Sequence, residues 1–446
     1  MSDEIRDKVK RIYKVIAENL YVCEPDERFD NTNPTLLLSI LTCLLNGKEL
    51  IFGNVGIGKT TSVESTVSLM YGIPLEVILS SEAHGDPEVT KEEYVAQPDL
   101  SNMKDIIWRR FVQFPLKIFD EFNRLPPSKQ NLFLDGIDRG NFEYMNQTLF
   151  SEPGPLFATC NYADMGTTEL NWPMRDRFDV AVVAQAPHPL LRRMIAYRKI
   201  DEEILKDKEF TKRMLAILDS KEEYYDKKIN ELYQLAEKFK GELKEKLKEH
   251  YPDFKPLSRD ELSTVNREIL NIRFSKEAEL FLDFIHAEFQ CPYCGEKIPG
   301  ESEICHEGCH YSKIDIEKGY AFRKVKRGLS VRFDKSLRKY AQALAWYFSD
   351  EEVKSSHIEI VFPYVLWHRM EFTEEYKNMH RSDTKGEPLN LYLSKQLISE
   401  ISKRFDEQKA IIVDAYQNYL EKKPIEIKTE PDHPIFVYYQ SLLKWI

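Results

Sequence analysis

Three groups of residues have types and spacings that could do chemistry. The first is Gly53-Asn54-Val55-Gly56-Ile57-Gly58-Lys59-Thr60, which satisfies G-x-x-x-x-G-K-[ST] and is followed by Thr61. Glycines at those places let backbone N–H groups turn inward around phosphate oxygens at a helix N-terminus. Lys59 would bring charge to the β- and γ-phosphates of a nucleotide, and the Thr60 hydroxyl would ligate Mg²⁺. The second group opens with Leu116-Lys117-Ile118-Phe119-Asp120-Glu121, a short apolar run ending in two carboxylates. Asp120 would sit beside the phosphate loop and hold the metal, and Glu121 would polarise an attacking water as general base. Another short run, Phe157-Ala158-Thr159, leads into Cys160-Asn161, and Asn161 could orient that water and sense the γ-phosphate. Arg177, in Asp176-Arg177-Phe178-Asp179, either makes a local ion pair or reaches a neighbouring subunit's phosphate as an arginine finger; Arg175 competes for that role.

The third group is cysteine. Cys23, Cys43 and Cys160 lie among apolar neighbours and read as core, whereas Cys291, Cys294, Cys305 and Cys309 are clustered. Cys291-Pro292-Tyr293-Cys294-Gly295 has knuckle form, and Cys305-His306-Glu307-Gly308-Cys309 supplies a second pair. Four thiolates from two short turns fit tetrahedral Zn²⁺ in a closed, structural site. His306 or His310 could replace one thiolate, and two disulfides are the alternative in a hyperthermophile.

The elements that must position these groups follow from periodicity. Residues 1–199 alternate short apolar runs with helical stretches, the pattern of a parallel sheet flanked by helices. Strands are expected at Glu49–Phe52, Leu75–Leu79, Leu116–Phe119, Leu156–Thr159 and Val180–Ala184. Across 200–256 the character changes to charged helix. Tyr225, Ile229, Leu232, Ala236, Phe239, Leu243 and Leu247 recur at spacings of three and four, one apolar stripe ended by Pro252 and Pro256. A second helical region at 257–370 is interrupted by the cysteine module at 288–312, and 371–446 reads as further helix.

Composition narrows the class. The chain has 446 residues, 42% hydrophobic and 31% charged, enough for a core in more than one domain. Its 63 basic against 74 acidic residues leave a net charge of −11, a poor match to wholesale phosphate-backbone binding. The basic run Arg323-Lys324-Val325-Lys326-Arg327 is the local exception. The N-terminus lacks the apolar segment of a secretory signal, and the run Leu36–Leu45 is about half of what a bilayer needs. A soluble cytoplasmic protein is expected.

The order of phosphate loop, Asp-Glu strand, strand-end Asn and Asp-Arg-Phe resembles an AAA+ ATPase, and the details resemble its MoxR branch in an archaeal-like form. Asp120-Glu121-Phe122-Asn123-Arg124-Leu125-Pro126-Pro127 is similar to D-E-I-N-R-x-x-P, and Ala158-Thr159-Cys160-Asn161-Tyr162 to A-T-x-N-P. Gly328-Leu329-Ser330-Val331-Arg332 resembles G-A-S-P-R with valine in place of proline, and Val365-Leu366-Trp367-His368-Arg369 resembles V-L-x-H-R. The resemblance covers residues 35–200 and 257–370. It implies an α/β P-loop core with an α-helical lid, here carrying a long helical insertion and a small zinc knuckle. It also implies ATP as ligand, Asn161 as sensor 1, Arg177 as trans-acting finger and Arg332 as the sensor 2 arginine. A homo-oligomeric, hexameric ring remodelling a protein client, with a von Willebrand factor A domain protein as partner, is the expectation that follows. A DNA- or RNA-dependent motor, or a restriction-type NTPase subunit, is the alternative built on the same core.

Overall fold

The computed structural model describes residues 2–100, 102–162, 167–191, 193, 198, 202–220, 224–294, 309–316, 318–384, 386–425 and 433–443. The chain divides into two units, Met1–Asn271 and Ile272–Ile446.

The first unit is α/β. Helix α1 (Ser2–Ala17) buries Ile5, Val9, Ile12 and Ile16, at spacings of three and four, on one face. Helix α2 (Pro34–Leu45) starts where the Asn33 side chain accepts from the Leu36 N–H and proline occupies the first turn. It is buried on every face, its apolar side chains in the core and the hydroxyls of Thr35, Ser39 and Thr42 along one strip, so the long hydrophobic run serves packing. Strand β1 (Lys48–Gly53) then delivers the phosphate loop into helix α3 (Lys59–Tyr71). Helix α4 (Leu75–Leu79) and strands β2 (Ala83–His84), β3 (Lys117–Asp120), β4 (Leu156–Asn161) and β5 (Val180–Val183) follow. The five strands form one parallel sheet in the order β2-β3-β4-β1-β5.

Four of the five expected strands are therefore present, and one expectation is corrected. Leu75–Leu79 is helix, not strand. A strand would place positions 75, 77 and 79 on one face, but Leu79 is 45% exposed while Leu75, Val77 and Ile78 are buried. Pro74 starts the turn, and a five-residue apolar run cannot by itself separate the two periods. The sheet's edge is instead the two-residue β2. Two antiparallel hairpins, Ala96–Asp99 with Asn102–Trp108 and Asn141–Tyr144 with Gln147–Phe150, interrupt the layering between β2 and β4. Helices α5 (Lys208–Leu218), α6 (Tyr225–Leu247) and α7 (Arg259–Asn271) complete the unit. The α6 stripe from Ile229 to Leu247 is buried within it, and Lys228 is buried too, donating to Gln113 Oε1 and to the Leu218 and Ser220 carbonyls.

The second unit is helical: α8 (Lys276–Phe289), α9 (Val331–Phe348), α10 (Ser355–Leu366), α11 (Leu389–Leu420) and α12 (Pro434–Leu442). A buried charge ties it together. Glu288 on α8 accepts from Arg404 Nε at 2.7 Å and the Ala321 N–H at 2.9 Å, and lies 3.2 Å from His433 Nε2. Burial raises this carboxyl, but Arg404 and His433 outweigh it and bring it down to about 2. Among the described residues no helix is long and apolar enough to cross a membrane.

Glu49 gives a stability test. It is fully buried on β1, accepting from Ser39 and Thr42 hydroxyls at 2.8 Å each, and burial pushes it up to about 8. The native state then holds a proton that the unfolded chain releases above about 4.5. Stability should fall as pH rises from about 4.5 to 8, by on the order of 2–4 kcal/mol. Denaturant melts of Glu49→Gln across that range should lack this component and show the variant more stable than the parent at pH 8.

Candidate nucleotide site and cysteine centre

The order of the sheet determines where a site can form. β1 and β4 are neighbours, and the chain leaves the C-terminal end of β1 toward β2 on one side and that of β4 toward β5 on the other, so a crevice opens between them. The phosphate loop occupies that crevice. Gly56 and Gly58 both take left-handed φ, +77° and +79°, which side-chain-bearing residues rarely adopt. Gly58 is also the N-cap of α3 and carries no side chain to cap it, so the amides of the first turn face the loop. Val55, at the tip, is 66% exposed. Lys59 is buried, with Nζ donating to the Gly53 carbonyl at 2.9 Å, the Asn54 carbonyl at 2.7 Å and Asn161 Oδ1 at 2.7 Å. Burial lowers its pKa, and the charges of Asp120 and Glu121 oppose that.

Asp120 ends β3 one strand beyond β4. Its Oδ1 accepts from Thr60 Oγ1 at 2.7 Å and Thr159 Oγ1 at 2.5 Å, and its Oδ2 lies 3.7 Å from His84 Nδ1. Burial would raise this carboxyl, but hydrogen bonds from His84, Thr159 and Thr60 win and bring it down to about 2. The same contact raises His84. Behind them Glu64 and Glu82 are pushed up, to about 7 and about 9, by burial first. Both therefore hold protons more readily than Asp120, which stays anionic beside the Thr60 hydroxyl. A hydroxyl and an anionic carboxylate on adjoining elements form a donor set that suits Mg²⁺.

Glu121 leaves the sheet with φ +51°, a left-handed conformation that costs a non-glycine residue on the order of 1–3 kcal/mol. Its N–H donates to Thr159 Oγ1 at 2.9 Å, its Oε1 accepts from Asn161 Nδ2 at 3.0 Å, and its Oε2 pairs with Arg124 Nε at 2.9 Å. Asn161 thus bridges Lys59 and Glu121. Lys59, Thr60, Asp120, Glu121 and Asn161, separate in sequence, are brought together on one sheet edge. His84, Thr159, Asn123 and Arg124 join them. Sequence reasoning assigned these four no role, although three lie inside motifs it used.

Arg177 is held by its own chain, Nε 3.2 Å from Asp138 Oδ2 and a terminal nitrogen donating to the Pro173 carbonyl at 2.8 Å. Arg175 is held by Glu169 and the Leu170 carbonyl. Arg332 lies at the start of α9 in the second unit, with an exposed side chain.

In that unit the Sγ atoms of Cys291, Cys294 and Cys309 lie within 4.8 Å of one another, none in a disulfide. Cys305, with Gly295 and His306, lies outside the described residues. Cys291 and Cys309 are 3.8 Å apart, and a tetrahedron with Zn–S of about 2.3 Å has edges of about 3.8 Å. The three thiols fit a zinc ion. Tyr311, Tyr320 and Phe322 pack behind them. The adjoining basic run is not one exposed patch. Lys324 is fully buried, paired with Glu400 and lying over the Tyr376 ring, and Arg323 donates to the Tyr311 carbonyl at 2.6 Å.

The architecture is shared. A presumed ATPase from Cytophaga hutchinsonii, solved by crystallography, superposes with a TM-score of 0.56 over 90% of this chain and 95% of that one. The two are 15% identical, so the likeness is one of fold. No protein-family model and no curated protein matches the chain.

Thr159 links the two carboxylate positions, donating to one and accepting from the backbone of the other. Thr159→Val should cost about 1–3 kcal/mol in denaturant melts, because it leaves the half-buried Glu121 N–H and an Asp120 oxygen without their shared partner. A loss within 0.5 kcal/mol, roughly the scatter of a surface substitution, would mean that the link is not holding the turn.

Proposed function

We propose that the chain is a MoxR-like AAA+ ATP hydrolase that assembles into a ring, most simply a hexamer, and remodels a protein client. The observation that supports this most is the convergence of Lys59, Thr60, Asp120, Glu121 and Asn161 where the strand order reverses. In this reading 1–199 is the core, 200–256 an insertion, 257–370 the lid and 371–446 an extension, all in the cytoplasm.

ATP would bind with its phosphates against the loop Gly53–Thr61, and Lys59 would exchange the carbonyls of Gly53 and Asn54 for phosphate oxygens. Thr60 and Asp120 would hold Mg²⁺, which when bound neutralises charge on the β- and γ-phosphate oxygens. Glu121 would take the proton of a water whose oxygen bonds to the γ-phosphorus as the bond to the bridging oxygen breaks, releasing ADP and phosphate. Asn161 would hold Glu121 and the γ-phosphate in register. Arg177 from a neighbouring subunit would stabilise the transferring phosphoryl group, after leaving Asp138; Arg175 is the competing candidate. Arg332 would contact nucleotide from the lid. Zn²⁺ held by Cys291, Cys294, Cys309 and, by its spacing, Cys305 would be structural. The family resemblance makes a von Willebrand factor A domain protein the expected partner. The burial of Lys324 weighs against the nucleic-acid motor.

Steady-state ATPase activity over a range of protein concentrations, with and without DNA, tests this. Specific activity should rise with concentration, DNA should leave it unchanged, and Glu121→Gln should lose at least about a hundredfold in turnover while still binding nucleotide. Several-fold stimulation by DNA would replace the remodeller with the nucleic-acid motor. Metal analysis should find one zinc per chain, lost in Cys291→Ser with a lower melting temperature.

A further inference from the structure

We propose that Asn123 is a positioning residue of the hydrolytic site, one that sets Asn161 between Lys59 and Glu121. This rests on the reading of Glu121 and Asn161 given above and adds a residue to it.

The argument starts from the sheet. β4 pairs with β1 along its whole length, ending with Asn161 opposite Gly53. On its other side the paired register with β3 ends earlier, at Phe119 opposite Ala158, because β3 stops at Asp120 and Glu121 turns away. The last residue of β4 therefore has no strand beside it on that side. The Asn123 side chain takes that place. Its Oδ1 accepts from the Asn161 N–H at 3.1 Å and its Nδ2 donates to the Asn161 carbonyl at 2.8 Å. An amide is the one side-chain group of this length that both accepts and donates in the plane a strand would use. Aspartate could only accept, and alanine could do neither. Both asparagines are buried, 6% and 5% exposed, so water is a poor substitute.

The amide is itself held from behind. Phe122 and Leu125, on either side of it, are fully buried and anchor the short 3₁₀ turn. The Asn123 carbonyl accepts from the Thr168 N–H at 2.7 Å and Thr168 Oγ1 at 3.2 Å. The turn therefore cannot drift without breaking contacts on both sides. What it fixes is the backbone of Asn161, whose side chain reaches Lys59 with its oxygen and Glu121 with its nitrogen. A small misplacement of such a bridge costs rate rather than nucleotide affinity, because most phosphate contacts belong to the loop.

The test is a cycle of variants, Asn123→Ala, Asn123→Asp, Asn161→Ala and the doubles with Asn161→Ala, read by ATP turnover and by the Kd of a fluorescent ATP analogue. We expect each Asn123 variant to lose about tenfold or more in kcat with Kd within about twofold, and to cause no further loss in the Asn161→Ala background. Should Asn123→Ala fail to fold, Asn123→Asp keeps the volume and the acceptor for the Asn161 N–H and carries the cycle alone. Losses that multiply in the double variant, or a Kd that weakens in step with kcat, would overturn the proposal. An active parent with Asn123→Asp at the parental rate overturns it alone. An inactive parent overturns it together with the hydrolase reading.

Discussion

The register of β4 against its neighbours is the constraint on which the site depends. Gly53 stands opposite Asn161 because β1 and β4 pair residue for residue from Lys48 and Leu156 onward. That places the strand-end Asn beside the loop that holds Lys59. A one-residue slip would turn Asn161 to the other face of the sheet and remove the bridge between Lys59 and Glu121. The register is strongly specified because every residue of β4 is buried, so a slipped pairing would have to repack both faces.

Electrostatics works on top of that geometry. Glu64 and Glu82 lie close to each other and to Asp120, and self-repulsion would oppose folding if all three were ionised. The structure avoids this by environment. Asp120 receives three donors and stays anionic, while burial raises Glu64 and Glu82 behind it and favours their protonated forms. Elsewhere buried charges are paired or neutralised in other ways: Glu288 by Arg404 and His433, Lys324 by Glu400, and Glu49 by holding its proton. The left-handed Glu121 fits the same logic. Its strain is met by Thr159, Asn161 and Arg124, which hold the carboxylate end of the turn in one place.

In the helical unit the cysteine module continues directly from α8, the helix that carries Glu288. The segment returning from the module is fastened to the same carboxylate through the Ala321 N–H, and α12 is fastened through His433, which stacks on Phe284 with ring centroids 3.8 Å apart. Tyr438 on α12 donates to the Gln290 carbonyl, next to Cys291. The thiol cluster is thus seated on a packed base of Tyr311, Tyr320 and Phe322 rather than hanging from the surface.

Much of this was legible in the linear chain, and the physical reason is locality. The glycine spacing of the phosphate loop, the apolar runs ending in Asp120 and Asn161, the α6 stripe and the Cys291–Cys294 knuckle are all short-range patterns. What the sequence could not determine depended on partners distant in the chain. Leu75–Leu79 is too short for its period to show, and tertiary burial of Ile78 with exposure of Leu79 decided for helix. Asn123 reads as one letter of a motif until β3 stops short and leaves the end of β4 for its amide to pair. The proton on Glu49 follows from its complete burial under α2, which outweighs the lowering effect of the Ser39 and Thr42 hydroxyls, not from its neighbours in sequence. Residue types and spacings by themselves determined which groups could do chemistry. Only the packing of distant segments decided which of those groups meet, which are charged and what holds them, because burial and pairing are properties of the folded neighbourhood.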